Sequence, residues 1–121
     1  MSKFAIAIFA DASNSSDESL GRVLNALVMA NDLKEKNIEF LMFFQGAGTR
    51  SISVLEDTAH PGHGLYSNIK NQIAGVSKAC SVVFGADTKS VKLLEEFTIP
   101  GIGGATSLAT YLLNGYTLVS F

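Results

Sequence analysis

Apolar residues fall in blocks along the chain, separated by polar segments rich in Gly, Ser, Asn and Asp. Residues 3–9, KFAIAIF, form a β-compatible run that gives way to DASNSSDES. Within that polar segment Ser15 and Glu18 have the spacing of a capping box, which predicts a strand, a loop and a helix start. Leu20, Val23, Leu24, Leu27 and Val28 follow on roughly one side of a helix that continues through ANDLKEK to Asn37. Asparagine tolerates the left-handed position at which helices end. Residues 38–44, IEFLMFF, are almost uninterrupted in their hydrophobicity, as a central strand covered on both faces requires.

After QGAGTRS the pattern predicts a short helix over 52–57, a break at HPGHG, and a second helix over 65–72. Residues 73–79 read as a third strand, diluted by Gly75 and Lys78. A helix begins beyond Cys80 and restarts near Asp87, with Val91, Leu94 and Phe97 at helical spacing. TIPGIGGATS is a loop with at most a very short strand before Pro100. Thr106 or Ser107 then caps a helix carrying Leu108, Tyr111 and Leu112, Gly115 ends it, and YTLVSF makes a last strand. This alternation predicts one α/β domain over residues 1–121. Its form is a three-layer sandwich with a mainly parallel, Rossmann- or flavodoxin-like sheet of about five strands, joined by right-handed crossovers.

Composition narrows the classes of function. Of 121 residues, 47% are hydrophobic and 17% charged, which disfavours a disordered chain. Nine Lys and Arg against eleven Asp and Glu give a net charge of −2 with no basic run, so neither nucleic acid nor a membrane surface is an expected partner. The apolar runs are far shorter than the ~20 residues that cross a bilayer. MSKFAIAIFADA mimics a signal peptide but is shorter than such peptides, and a buried first strand is the better reading. A mean hydropathy of +0.28 is high for a small domain and points to a homo-oligomer that covers apolar surface. The single cysteine cannot form an internal disulfide and no export signal is evident, so the reducing cytoplasm is the expected compartment.

Parallel α/β sheets gather ligands outside the carboxyl ends of their strands, so the loops after strands carry the candidate chemistry. Gly46, Ala47, Gly48 and Thr49 lead into a helix and can offer backbone N–H groups to an anion, with the cation of Arg50 close by. The same glycines also suit a tight turn, and Arg50 also suits pairing with Glu56 or Asp57. Asp11 opens a segment of hydrogen-bonding side chains that serves a ligand or local turns and caps alike. Asp11, Gly46, Gly48, Thr49 and Arg50 are the candidate ligand-binding residues. His60 and His63 flank Pro61-Gly62 without the partners a metal site needs, and no metal or cofactor is expected.

Cys80 is the remaining candidate. A free cysteine is often a small buried hydrophobe. At the carboxyl end of a strand and the start of a helix, however, unpaired N–H groups and the helix dipole favour the thiolate, the nucleophilic form.

In the order and spacing of KFAIAIFAD, IEFLMFFQGAGTRS, HPGHGLYSNIK, ACSVVFGA and LLNGYTLVSF, the chain resembles the DsrE/DsrF-like family of small α/β proteins over nearly its whole length. The resemblance implies a parallel-sheet sandwich and homo- or hetero-oligomers, often trimers or hexamers. In sulfur-trafficking members a cysteine after a central strand, near a following glycine, accepts sulfane sulfur as a persulfide. Cys80, with Gly85 after Phe84, matches that position. The expectation is a cytoplasmic sulfur carrier, sulfurtransferase-like, that takes sulfur from a donor protein onto Cys80 and passes it to an acceptor thiol. The alternative is a non-catalytic oligomer that holds a small anion at the strand ends without using the thiol.

Overall fold

A computed structural model describes residues 2–121. Five parallel strands form one sheet in the order β4-β3-β2-β1-β7. β1 (Lys3–Ile8) lies between β2 (Glu39–Phe44) and β7 (Thr117–Ser120), and β3 (Ile73–Ser77) separates β2 from β4 (Leu93–Leu94). The chain steps outward from β1 to β4 and then returns past β1, so the direction reverses between β1 and β7. Helices flank the sheet on both sides, giving the three-layer, flavodoxin-like α/β sandwich that the apolar blocks predict.

Side chains on a strand alternate between faces, and the two faces here are unequal. On the first, Ile6, Ile8, Met42, Phe44 and Val76 pack against α1 (Asp17–Glu35), α2 (Ser51–Leu55) and α3 (His63–Ile69). Val23, Ala26, Leu27, Ala30 and Leu33 form the buried stripe of α1, whereas Val28, expected on that stripe, faces water. On the second face Ala5, Ala7, Phe43 and Leu94 are covered by Leu108 and Tyr111 of the short α5 (Leu108–Leu113). The Phe43 and Tyr111 rings stack with centroids 5.1 Å apart.

The first helix starts one residue later than the capping-box spacing predicts. Asn14 Oδ1 accepts from the Ser16 N–H at 2.8 Å and shapes the turn, so Ser16 becomes the N-cap and accepts from the Ser19 N–H. Glu18 does not reach back to the cap; it pairs with Arg22 one turn on. The helix ends as predicted, with Asn37 at φ 57°.

The larger correction concerns residues 91–99. Val91, Leu94 and Phe97 have helical spacing, yet no helix forms there. Leu93 and Leu94 pair instead with Val76 and Ser77 as the edge strand β4, and Phe97–Ile99 (β5) pairs antiparallel with Gly103–Ala105 (β6) in a separate hairpin. Without β4, the outer polar groups of β3 would be unpaired, and ladder formation outweighs the local helical pattern of three residues.

Beside α2, Glu56 Oε1 accepts from Lys70 Nζ at 2.7 Å and from the Tyr66 hydroxyl at 2.8 Å. These bonds, Lys70 first, hold the Glu56 carboxyl below its ordinary range. A lowered carboxylate adds stability above its unfolded value, and that stability is lost as pH falls through the folded value. Glu56→Gln is therefore expected to be less stable than wild type at neutral pH, with the gap closing in acid below about 4.3. Urea midpoints at neutral and acid pH measure both differences.

Candidate functional site

Because every strand of the main sheet runs the same way, the segments after β1, β2 and β3 share one edge. After β1, Asp11 turns inward with its side chain only 6% exposed. Its Oδ1 accepts from the N–H and hydroxyl of Ser13, and its Oδ2 accepts from Arg50 Nε at 2.8 Å. Arg50 also donates from Nη1 to the Phe84 carbonyl at 3.4 Å, with its guanidinium 5.7 Å from the Phe84 ring centre. It thus ties the loop after β1 to the end of α4 (Lys78–Val83). The expected partners Glu56 and Asp57 are engaged elsewhere, Glu56 by Lys70 and Tyr66, and Asp57 by the N–H of Ala59.

After β2, residues Gly46–Arg50 form a 3-10 turn packed against the end of β1. A Cβ at Gly48 would lie 2.3 Å from the Ile8 carbonyl oxygen and 2.9 Å from that of Ala10. The Gly48 N–H donates to the Gln45 carbonyl, and Thr49, fully buried, donates its hydroxyl to the Gly46 carbonyl. Gly48 and Thr49 are therefore engaged in internal packing and hydrogen bonding, and Arg50 is held by Asp11.

After β3 the strand ends at Ser77, two residues earlier than the sequence predicts, and α4 begins at once. The buried Ser77 Oγ accepts from the Cys80 N–H at 3.5 Å, so Cys80 is the third residue of the helix, in its first turn. The Phe84-Gly85 step then ends α4. Gly85, at φ 63°, donates to the Val82 carbonyl and Ala86 to that of Ser81, the paired bonds of a Schellman motif. Gly85 sets the helix length by adopting a conformation that other residues avoid.

Ala79 and Ser81 face inward, Cys80 is half-buried, and Val82, Val83 and Phe84 are exposed. Among the described residues the Cys80 sulfur has no hydrogen-bond partner, and no group of three His, Cys, Asp or Glu is placed to hold a metal. The thiol therefore stands at the strand-end edge, partly open, on a short helix that leads on to the exposed Val82, Val83 and Phe84.

Two further residues, Gln45 and Thr106, meet at this edge without being site candidates from the sequence. Gln45 follows β2 directly, one step past the Phe44–Val76 pair, and is 6% exposed. Its Oε1 accepts from the Thr106 hydroxyl at 2.8 Å, which fastens the segment before α5 to the end of β2. Ser107, not Thr106, caps α5. The only trace in the sequence is a lone amide directly after an apolar strand.

A cavity of about 500 Å³ lies at the opposite, amino edge of the sheet, between Lys34, Asn37, Glu39 and Gln72. It shares no residue with the cysteine edge. Among the described residues no helix is long and apolar enough to cross a membrane. Compared with protein-family models, curated proteins and solved structures, the chain matches none of them.

Proposed function

We propose that this protein is a small sulfur carrier that holds sulfane sulfur on Cys80 and delivers it to an acceptor thiol. The observation that carries this reading is the surroundings of Cys80. The thiol is half-buried at the strand-end edge, free of hydrogen bonds to the described residues, and followed on the same helix by exposed Val82, Val83 and Phe84. Exposed apolar side chains just beyond the thiol in sequence suit docking of a protein donor or acceptor better than capture of a small polar ligand. The likeness of ACSVVFGA and its context to the DsrE/DsrF-like family points the same way.

In the loading step the Cys80 thiolate attacks the outer sulfur of a donor persulfide, R–S–SH. The S–S bond of the donor breaks, Cys80–S–SH forms, and R–S⁻ leaves. The acceptor thiolate later attacks the outer sulfur of Cys80–S–SH and releases the Cys80 thiolate, so the two steps need no external oxidant or reductant. Arg50 contributes by fixing the end of α4 through Phe84. Such chemistry requires a reducing compartment, for which the cytoplasm is the natural setting.

Incubation with a persulfide donor should add one sulfur atom to the wild-type mass and none to that of Cys80→Ser. Absence of uptake by wild type, under conditions that load an established carrier, overturns the proposal. If Cys80→Ser is silent in every assay while Arg50→Ala is not, the anion-binding alternative replaces it.

A further inference from the structure

We infer that the cavity at the amino edge of the sheet is a binding site for a small organic cation, a primary ammonium carried on a short apolar chain. Its volume of about 500 Å³ falls within the ~300–1,000 Å³ of small-molecule sites. It opens where the end of α1, the start of β2 and the turn before β3 meet, and Lys34, Asn37, Ile38, Glu39, Phe40 and Gln72 line it. A second hollow of about 240 Å³ borders the same segment, lined by Ser2, Asn37, Ile38 and Glu39. None of these residues belongs to the thiol edge, so the site goes beyond sulfur carriage.

Gln72 decides the polarity of the ligand. Among the described residues its Oε1 is the one buried side-chain oxygen or nitrogen without a hydrogen-bond partner. A buried acceptor left unpaired carries the full cost of its lost hydration, so a group that donates to it is favoured. The last torsion of a glutamine is broad, and the amide can turn to meet a donor in the cavity that its side chain lines.

Two other features have the same sign. The nineteen-residue α1 ends here, and the negative end of its dipole favours a cation. Glu39 brings a carboxylate whose Oε2 accepts from the Tyr116 hydroxyl at 3.3 Å and whose Oε1 accepts from no described residue. The neighbouring cations are occupied elsewhere: Lys34 donates from Nζ to the Asn68 carbonyl, and the Lys3 ammonium rests over the Tyr116 ring, 4.5 Å from its centre. Ile38 and Phe40 give the apolar chain of the ligand a wall to lie on.

The probe is n-butylammonium chloride, with sodium butyrate and sodium chloride at equal ionic strength as controls, and heteronuclear NMR of the full chain follows the amide signals. Butylammonium is expected to shift the signals of residues 37–40 and 72 saturably, while the controls do not and the signals around Cys80 stay in place. Gln72→Leu keeps much of the side-chain shape without the unpaired oxygen, so it is expected to be at least as stable as wild type and to bind about tenfold more weakly. Glu39→Gln, at an exposed position, is expected to weaken binding by about as much. Saturation by butyrate instead would mean that the amide offers its nitrogen, and overturns the inference. So does a wild type that responds to butylammonium no more than to sodium chloride, or an affinity that either variant leaves unchanged.

Discussion

Gly75→Ala should lower the stability of the folded chain by about 2–5 kcal/mol, a large share of the ~5–15 kcal/mol typical of a domain. Gly75 lies in β3 at φ 149°, a backbone conformation that side chains rarely adopt. The β2–β3 register slips at this point: Met42 faces Ile73, but Phe43 faces Gly75. The irregularity brings β4 so close that an added Cβ would lie 2.3 Å from the Lys92 carbonyl oxygen. That carbonyl accepts from the Val76 N–H, so relief of the clash breaks the ladder that carries β4 and, beyond Ser77, the helix of Cys80. Urea unfolding reads the loss directly. Gly64→Ala in α3, where nothing lies within 4 Å of the new carbon, should instead stabilise by up to about 1 kcal/mol.

The second large effect is expected at Gly48→Ala, about 3 kcal/mol, because the new carbon meets two main-chain oxygens of the first strand and its loop instead of a flexible side-chain tip. Relief requires the 3-10 turn to leave the end of β1. Such a movement pulls Arg50 away from Asp11 and loosens its hold on Phe84, so alkylation of the half-buried Cys80 should speed up as stability falls. An unfolding midpoint equal to that of wild type would show that the turn is not wedged as described.

The architecture was legible in the sequence where one physical demand dominated. A strand buried on both faces must be apolar along its buried length, and β1 beyond Lys3 and β2 beyond Glu39 are so. The nineteen residues of α1 repeat their apolar stripe often enough to fix its type, although Val28 shows that the edge of the stripe is not fixed. The region after Cys80 was misread because its outcome depends on distant partners. Leu93 and Leu94 become a strand only because β3 offers an unpaired edge, and Gly103 and Gly104 become one only opposite Phe97, Thr98 and Ile99.

The same distinction holds at the candidate site. Cys80 could be placed near the carboxyl edge from chain order alone, since strand and helix follow one another locally. Its exact setting turned on where β3 ends, and the Ser77 cap, a local bond over three residues, moved that end by two. Arg50 finds Asp11 across 39 positions, and Thr106 finds Gln45 across 61. Nothing in the neighbourhood of Arg50 excludes Glu56 or Asp57 as partner. Only the parallel packing of β1 beside β2 brings Asp11 to it.

Sulfur carriage is tested most directly by discharge of a loaded protein. Cys80 is charged from a persulfide donor, the donor is removed, and a reduced protein thiol is added while intact masses are followed. The carrier should lose its one extra sulfur atom as the acceptor gains it, in equal amounts, and Cys80→Ser should neither load nor deliver. A wild-type protein that never loads, or that holds its sulfur indefinitely in the presence of reduced acceptors, would contradict the assignment of Cys80 as a relay thiol.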